Sequence, residues 1–365
     1  VAPGENGEQM VDCSGISVDA IGGDIVPEGA IHGAYLALRE RKNISYIFHG
    51  READITPLLE KYPELKPVSK VVHCDNIISM AEKPSQALRK GRGNSSMWNA
   101  LQSVKDGDAD VAISGGNTGA LMAMATFCLR PIVGISRPAI AAIWPTLRAD
   151  IIVLDVGATI GGDAKQLVDF SILGAALARA LFDQELPSIG LLNVGTEEMK
   201  GHDEVKDAAA MLSAASGAGF TYHGFVEGDD IGKGTVDVIV TEGFTGNIAL
   251  KTAEGTARQV GTYLRNALKA DIFSMLGAML AGKALNAIRR KLDPRNVNGG
   301  VFLGLNGIVI KSHGGTDEVG FKAALGLAYE MARSRLIDKI SEGMRRFPAF
   351  PAPVPASTDR EANPA

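Results

Sequence analysis

The sequence predicts an α/β fold in three layers, with a mostly parallel sheet between helices. Three observations predict it. Apolar strand patterns alternate with helical ones along the chain, many of the 43 glycines stand where a strand pattern ends and a helix pattern begins, and one strand–turn–helix pattern occurs twice. A βαβ rhythm needs a parallel sheet whose two faces are covered by the crossover helices. Glycine in the connecting turns lets backbone approach a ligand closely.

The elements follow in order. Residues 1–15 carry neither a basic start nor an apolar run, so no secretion signal is expected and they read as a flexible lead-in. Residues 16–21 form a strand ending in Gly22-Gly23-Asp24, and Pro27 suits the first turn of a helix to about residue 42. Strands follow at 44–49 and 68–74, then a helix at 95–106 and a strand at 111–114. The helix at 118–129 is apolar nearly all round, as a buried helix should be. A strand at 151–156, a helix at 164–182 and a strand at 189–194 continue the rhythm. The strand at 236–241 leads into a helix to about residue 269.

Residues 271–292 differ from the rest. Ile272, Phe273, Met275, Leu276, Met279 and Leu280 are followed by Arg289, Arg290 and Lys291. The apolar run is too short to span a bilayer. It reads either as a dimer-interface or packing helix, or as one that also touches lipid or an acidic partner. Beyond it, the Pro-rich residues 346–365 are expected to be disordered. The chain thus divides into a lead-in, one α/β unit over 16–345 with a protruding helical segment at 262–295, and a tail.

Composition narrows the class. With 365 residues, 45% of them hydrophobic, the chain can bury a large core. The net charge of −5 gives no general attraction to nucleic acid, and 5% aromatics argue against a base-stacking platform. Cys13, Cys74 and Cys128 form no CxxC pair, and the six histidines are scattered without ligand spacing. Free thiols in a reducing, cytoplasmic compartment are expected, with no metal and no cofactor.

The repeated pattern carries the chemistry. Asp110-Val-Ala-Ile-Ser-Gly-Gly-Asn-Thr-Gly-Ala-Leu121 and Asp237-Val-Ile-Val-Thr-Glu-Gly-Phe-Thr-Gly-Asn-Ile248 both read as a short strand, a Gly-containing turn, then Thr-Gly opening a helix. Unpaired N–H groups and the positive end of a helix dipole favour an anion such as phosphate there. The two cradles are expected at the tips of neighbouring strands, gripping one oxyacid jointly. Other candidates are weaker alone. Asp19 to Asp24 could bind ligand or cap a helix, and Lys83-Pro-Ser85 and Asn94-Ser-Ser96 suit helix starts. Lys200 reads as a solvated loop lysine or as a cation for a cleft, and Lys311-Ser-His-Gly314 is equally open.

Together these blocks are more specific than any one of them. In order, Val18 to Asp24, Glu82 to Ser85, Asn94 to Met97, Ser114 to Leu121, Asp155 to Ala158, Gly190 to Glu198, Thr241 to Asn247 and Val309 to Gly314 resemble the bacterial phosphate acyltransferase family, the PlsX-type acyl-ACP:phosphate transacylases of phospholipid synthesis. The resemblance spans residues 16–344. Ile21, Gly115 and Glu242 stand where Met, Ala and Asp are usual, and Thr159 where many members carry Asn.

The resemblance implies a homodimer with a fold similar to the isocitrate/isopropylmalate dehydrogenase and phosphotransacetylase group. It implies that acyl-ACP, the thioester of acyl carrier protein, reacts with inorganic phosphate to give acyl phosphate and free carrier. Phosphate is already an anion, so no Ser-His-Asp arrangement is needed. The protein must hold phosphate beside the thioester and steady the oxyanion as it forms. Lys200 and Asn247 are the implied catalytic residues. Substrate binding falls to Asp19, Gly22, Gly23, Asp24, Lys83, Ser85, Ser114, Gly116, Asn117, Thr118, Gly119, Asn193, Thr196, Thr245, Gly246, Lys311 and His313. Arg289, Arg290, Lys291 and Arg295 suit either the acidic carrier surface or a helix C-terminus. The expected location is cytoplasmic, with contact to the inner face of the cell membrane as a further expectation. The rival activities are a short-chain acyl-CoA phosphotransacetylase and a nicotinamide-dependent decarboxylating dehydrogenase. The dehydrogenase would need clustered metal-binding aspartates that the sequence lacks. A membrane-recruited scaffold for lipid enzymes, using 271–292, is the non-enzymatic rival.

Overall fold

The computed structural model describes residues 14–24, 26–215, 219–293, 295 and 298–347, without the side chains of 288–292. The expected lead-in up to residue 13 and the tail from 348 lie outside the described residues. Ser14 already belongs to the first strand.

The strands are β1 (Ser14–Asp19), β2 (Ile44–Gly50), β3 (Ser69–His73), β4 (Val111–Ser114), β5 (Ala139–Trp144), β6 (Ile151–Leu154), β7 (Ser188–Leu192), β8 (Thr221–Val226), β9 (Val238–Val240), β10 (Gly300–Leu303) and β11 (Ile308–Lys311). The helices are α1 (Glu28–Glu40), α2 (Glu52–Glu60), α3 (Pro84–Gly91), α4 (Ser96–Lys105), α5 (Thr118–Leu129), α6 (Ala164–Leu181) and α7 (Asp203–Ala214). After them come α8 (Gly228–Lys233), α9 (Gly243–Leu268), α10 (Ile272–Leu280), α11 (Gly282–Leu292), α12 (Glu318–Arg333) and α13 (Leu336–Arg346).

The eleven strands of the described residues form one sheet, ordered β3-β2-β1-β4-β11-β10-β5-β6-β9-β7-β8. The five strands β3 to β11 of that order are parallel, and so are the four from β6 to β8. Between these halves every pairing is antiparallel: β11 with β10, β10 with β5, and β5 with β6. Helices cover both faces. Tyr46, Phe48 and Phe170 lie in the core on one side, where α1, α6 and α12 pack. Met97, Leu101 and Phe302 lie in the core on the other, beneath α4 and α5. The mostly parallel three-layer fold is the one the sequence predicts.

The three antiparallel pairings correct one expectation. They reverse the chain direction an odd number of times, so β4 and β9 run in opposite senses. Four strands stand between them, a separation of roughly 24 Å at the usual strand spacing. The two repeated turns therefore do not stand at the tips of neighbouring strands, as the joint cradle requires.

Local chemistry sets the boundaries. The strand expected at 151–156 stops at Leu154 because the Asp155 carboxylate turns back to bind the following loop. The helix α5 starts where the Asn117 side chain accepts from Ala120 N–H at 3.0 Å. Helix α9 is largely exposed beyond its first turns, and with α10 and α11 it forms an arm. Phe273, Met279 and Leu280 on α10 are among the most exposed apolar side chains described, at 81, 77 and 90%. Among the described residues, no helix is long and apolar enough to cross a membrane.

Candidate active site

The ends of β1, β4 and β11 meet in register, since Asp19 and Lys311 both pair with Ser114. This brings together residues from three distant parts of the chain. Asp19 is fully buried, and Ser114 Oγ donates to its Oδ2 at 2.6 Å while accepting from Gly116 N–H at 3.0 Å. Asp19 Oδ1 has no hydrogen-bond partner among the described residues. Ser96 Oγ and the Ile21 N–H lie nearby, outside hydrogen-bond geometry, and still favour the anion. Burial outweighs them and Lys311, and pushes the Asp19 carboxyl above its ordinary range. Gly22 leaves the room that carboxyl needs, because a methyl there would stand 2.0 Å from Oδ2.

Lys311 is the cation of this hollow. Its Nζ donates to the Gly115 carbonyl at 3.3 Å and to the Ser312 carbonyl. Desolvation first, and repulsion from Lys251, lower its pKa to about 8, although Asp19 and Asp24 oppose the shift. Gly23 and Gly115 pack against the 312–315 turn, and the Asp24 N–H donates to Gly314 at 2.9 Å. His313 lies exposed on the rim, its imidazole held below the usual range by partial burial and then by Lys251. Asn298, which the sequence did not single out, orders this turn. It accepts from His313 N–H at 2.9 Å and donates to Ser312 Oγ and to the Gly320 carbonyl.

Helix α5 closes the hollow with its N-terminus. Among the described residues, no protein acceptor meets the Thr118 or Gly119 N–H. The Asn117 side chain is not available to a substrate, contrary to expectation. It caps α5 and donates to the Met80 and Glu82 carbonyls at 2.7 and 3.0 Å, tying the 79–82 loop to the helix. Lys83 and Ser85 are exposed at the start of α3, where Pro84 rests against Gly119.

The second repeat is built differently. Asp155 Oδ1 accepts from the N–H groups of Ile140, Gly157 and Ala158, and Oδ2 accepts from Thr159 N–H and Thr159 Oγ1. Thr159 Oγ1 in turn accepts from Gly243 N–H at 3.1 Å. The next amides are also taken: Glu242 Oε2 accepts from Phe244 N–H and Oε1 from Thr245 N–H, at 2.8 and 2.7 Å. Burial pushes the Glu242 carboxyl up, but the hydrogen bonds from Thr245, Phe244 and Gly161 more than offset it and hold it below the usual range. So the expected role of Thr245 and Gly246 as an amide cradle is corrected. The protein's own carboxylate fills that place. Gly246 serves packing, since a methyl there would stand 1.9 Å from the Asp155 carbonyl oxygen.

What α9 offers the hollow is side chains. Asn247, Lys251, Glu254 and Arg258 share one helical face. Asn247 stands beside Gly157, and Lys251 lies within electrostatic reach of both Lys311 and His313. The opposite face of α9, with Ile248, Ala249, Thr252 and Ala253, lines a cleft of about 1220 Å³ against Leu191, Asn193 and Ile231. Asn193 Nδ2 donates to the Lys200 carbonyl at 3.0 Å and so fixes the exposed loop carrying Thr196 and Lys200. Lys200 Nζ meets Glu197 Oε1 at 2.8 Å, which raises the lysine's pKa. Lys200 and Asn193 thus stand together, joined by the hydrogen bond to the Lys200 carbonyl.

Arg295 is not a free surface cation. It binds Asp293 at 2.6 Å and Asp317, the N-cap of α12, at 2.7 Å. The side chains of Arg289, Arg290 and Lys291 lie outside the described residues.

Comparison with known proteins agrees with this architecture. A profile described as "Fatty acid synthesis protein" matches residues 15–339. The chain is 55% identical over 341 residues to the phosphate acyltransferase of Agrobacterium fabrum, covering 93% of this chain and 97% of that one. It is 59% identical over 324 residues to the phosphate acyltransferase of Chelativorans sp., covering 89% and 93%. Among solved structures, a phosphotransacetylase from Streptococcus pyogenes superposes with a TM-score of 0.60 at 16% identity, covering 89% of this chain and 94% of that one. One from Staphylococcus aureus does so at 0.57 and 15%, with the same coverage. These two likenesses concern the fold alone. With the profile spanning nearly all of the described chain and relatives above half identity over more than nine-tenths of their length, the protein belongs to the phosphate acyltransferase family.

Proposed function

We propose that this chain transfers a long acyl group from acyl carrier protein to inorganic phosphate in phospholipid synthesis. One observation carries the placement of phosphate: the open α5 amides and the half-buried Lys311 ammonium meet at the joined ends of β1, β4 and β11, beside the buried Asp19, with Lys251, paired to Glu254, within electrostatic reach. The amides and ammonium groups orient phosphate and hold its charge.

The chemistry needs little else. An oxygen of hydrogenphosphate attacks the thioester carbonyl, the C–S bond breaks, and the phosphate proton ends on the departing thiol. Acyl phosphate and free carrier leave. The transfer is direct, with no acyl-enzyme. Asn247, one turn before Lys251, is assigned the carbonyl oxygen as an amide donor. Lys200 is assigned a supporting charge, which it supplies only after leaving Glu197. The exposed α9–α11 arm is assigned to pairing with a second copy, with its α10 tip facing the membrane surface.

Two assays test the reading together. Free thiol from palmitoyl-ACP and acyl phosphate, trapped as the hydroxamate, should appear in equal amounts and only with phosphate present. Thiol release without phosphate, or preference for acetyl-CoA over palmitoyl-ACP, would overturn it.

A further inference from the structure

Beside the hollow lies a cationic strip that neither the chemistry nor the core uses. Lys83, Arg89, Lys90 and Arg92 are exposed on and around α3, which contains no acidic residue and buries only Ala87 and Gly91. The helix lies along α5. At one end Pro84 meets Gly119, at the mouth of the hollow; at the other the Arg92 guanidinium stands 4.3 Å from the Phe127 ring centroid. Arg130 stands 4.9 Å from the same centroid. The Phe127 ring is thus within cation–π reach of two guanidiniums. Of these five cations only Lys90 has a carboxylate partner among the described residues, Glu82 at 2.9 Å. The strip follows α5 for roughly 18 Å at the usual helical rise. Such a concentration of positive charge runs against the chain's net charge of −5.

We propose that this strip is the docking surface for the acidic carrier protein that delivers the thioester. Charge complementarity selects an acidic partner and steers it, and the strip's start at Gly119 points the carrier's thioester toward the hollow. Arg295, by contrast, is already neutralised by two aspartates. The assignment of the carrier as the donor rests on the function proposed above.

The test uses the full chain with Arg89→Glu/Arg92→Glu and, as a charge-keeping control, Arg89→Lys/Arg92→Lys. Turnover is measured with palmitoyl-ACP and with palmitoyl-CoA. The reversal should raise KM for the carrier-bound donor on the order of tenfold and weaken its salt dependence, while palmitoyl-CoA turnover stays within about twofold. The lysine control should behave as wild type. Unchanged kinetics with palmitoyl-ACP, or equal loss with both donors, would overturn the assignment. So would selective loss on reversing Arg289 and Arg290 instead. Direct binding of the free carrier protein, weakened by the reversal, reads the docking surface even if the wild-type chain were to make no acyl phosphate. The two readings therefore fail separately.

Discussion

At the residue scale, Lys311 links geometry to a measurable pH dependence. Its pKa of about 8 means that the ammonium is present at neutral pH and is lost as pH rises through that value. KM for phosphate should therefore rise above about pH 8, and Lys311→Arg should extend the flat region to higher pH because a guanidinium stays charged. A profile unchanged by that substitution would remove Lys311 from the phosphate site. Individual roles were legible unevenly. The blocks containing Asp19, Ser114 and Lys311 were visible as motifs, and the register of three strands places them together. Asn117 and Asp155 were also visible, but a side chain that binds its own loop has the same sequence signature as one that binds a ligand. Asn298 stood in no motif, since its partners come from a turn and a helix distant in sequence.

At the element scale, Glu242 decides what the start of α9 is for. The same Thr-Gly turn opens α5 and α9, yet the residue before the turn differs: Gly115-Gly116 leaves amides open, and Glu242 fills them. Replacing Glu242 by Ala should lower the free energy of unfolding by about 1 kcal/mol, read by urea denaturation. The sign with pH follows from its depressed pKa. The stabilisation is present above the unfolded value and lost as pH falls through the folded one, so the two proteins should converge in acid. Thr159→Val should cost about 1–3 kcal/mol, because it strips a buried donor from Asp155 and an acceptor from Gly243. Though β5, β8 and β10 went unpredicted, the positions of α5 and α6 were readable from periodicity and caps. Strand direction was not: residues 139–144 read Ala-Ile-Ala-Ala-Ile-Trp, and nothing in such a run says which way it will pair.

At the scale of the whole molecule, those antiparallel strands reshape the site. They turn the second half of the sheet over, so the amides of the two repeats form no joint cradle, and α9 reaches toward Lys311 and His313 with its side chains instead. The same helix carries the arm beyond the body of the protein. Phe273→Asp with Met279→Asp, on the exposed side of α10, should reduce recovery of the protein with phospholipid vesicles several-fold, since each exchanges apolar area for charge. Secondary structure should stay unchanged by circular dichroism. Undiminished vesicle binding would free the arm tip from that role.

The most direct test is the steady-state KM for phosphate of Lys311→Met against wild type, at neutral pH with palmitoyl-ACP saturating. Loss of a charge-assisted contact of about 1.5–3 kcal/mol predicts a rise of roughly 10- to 150-fold, with KM for palmitoyl-ACP little changed. An unaltered phosphate KM would contradict the account and move phosphate out of the hollow between Asp19, Lys311 and the start of α5.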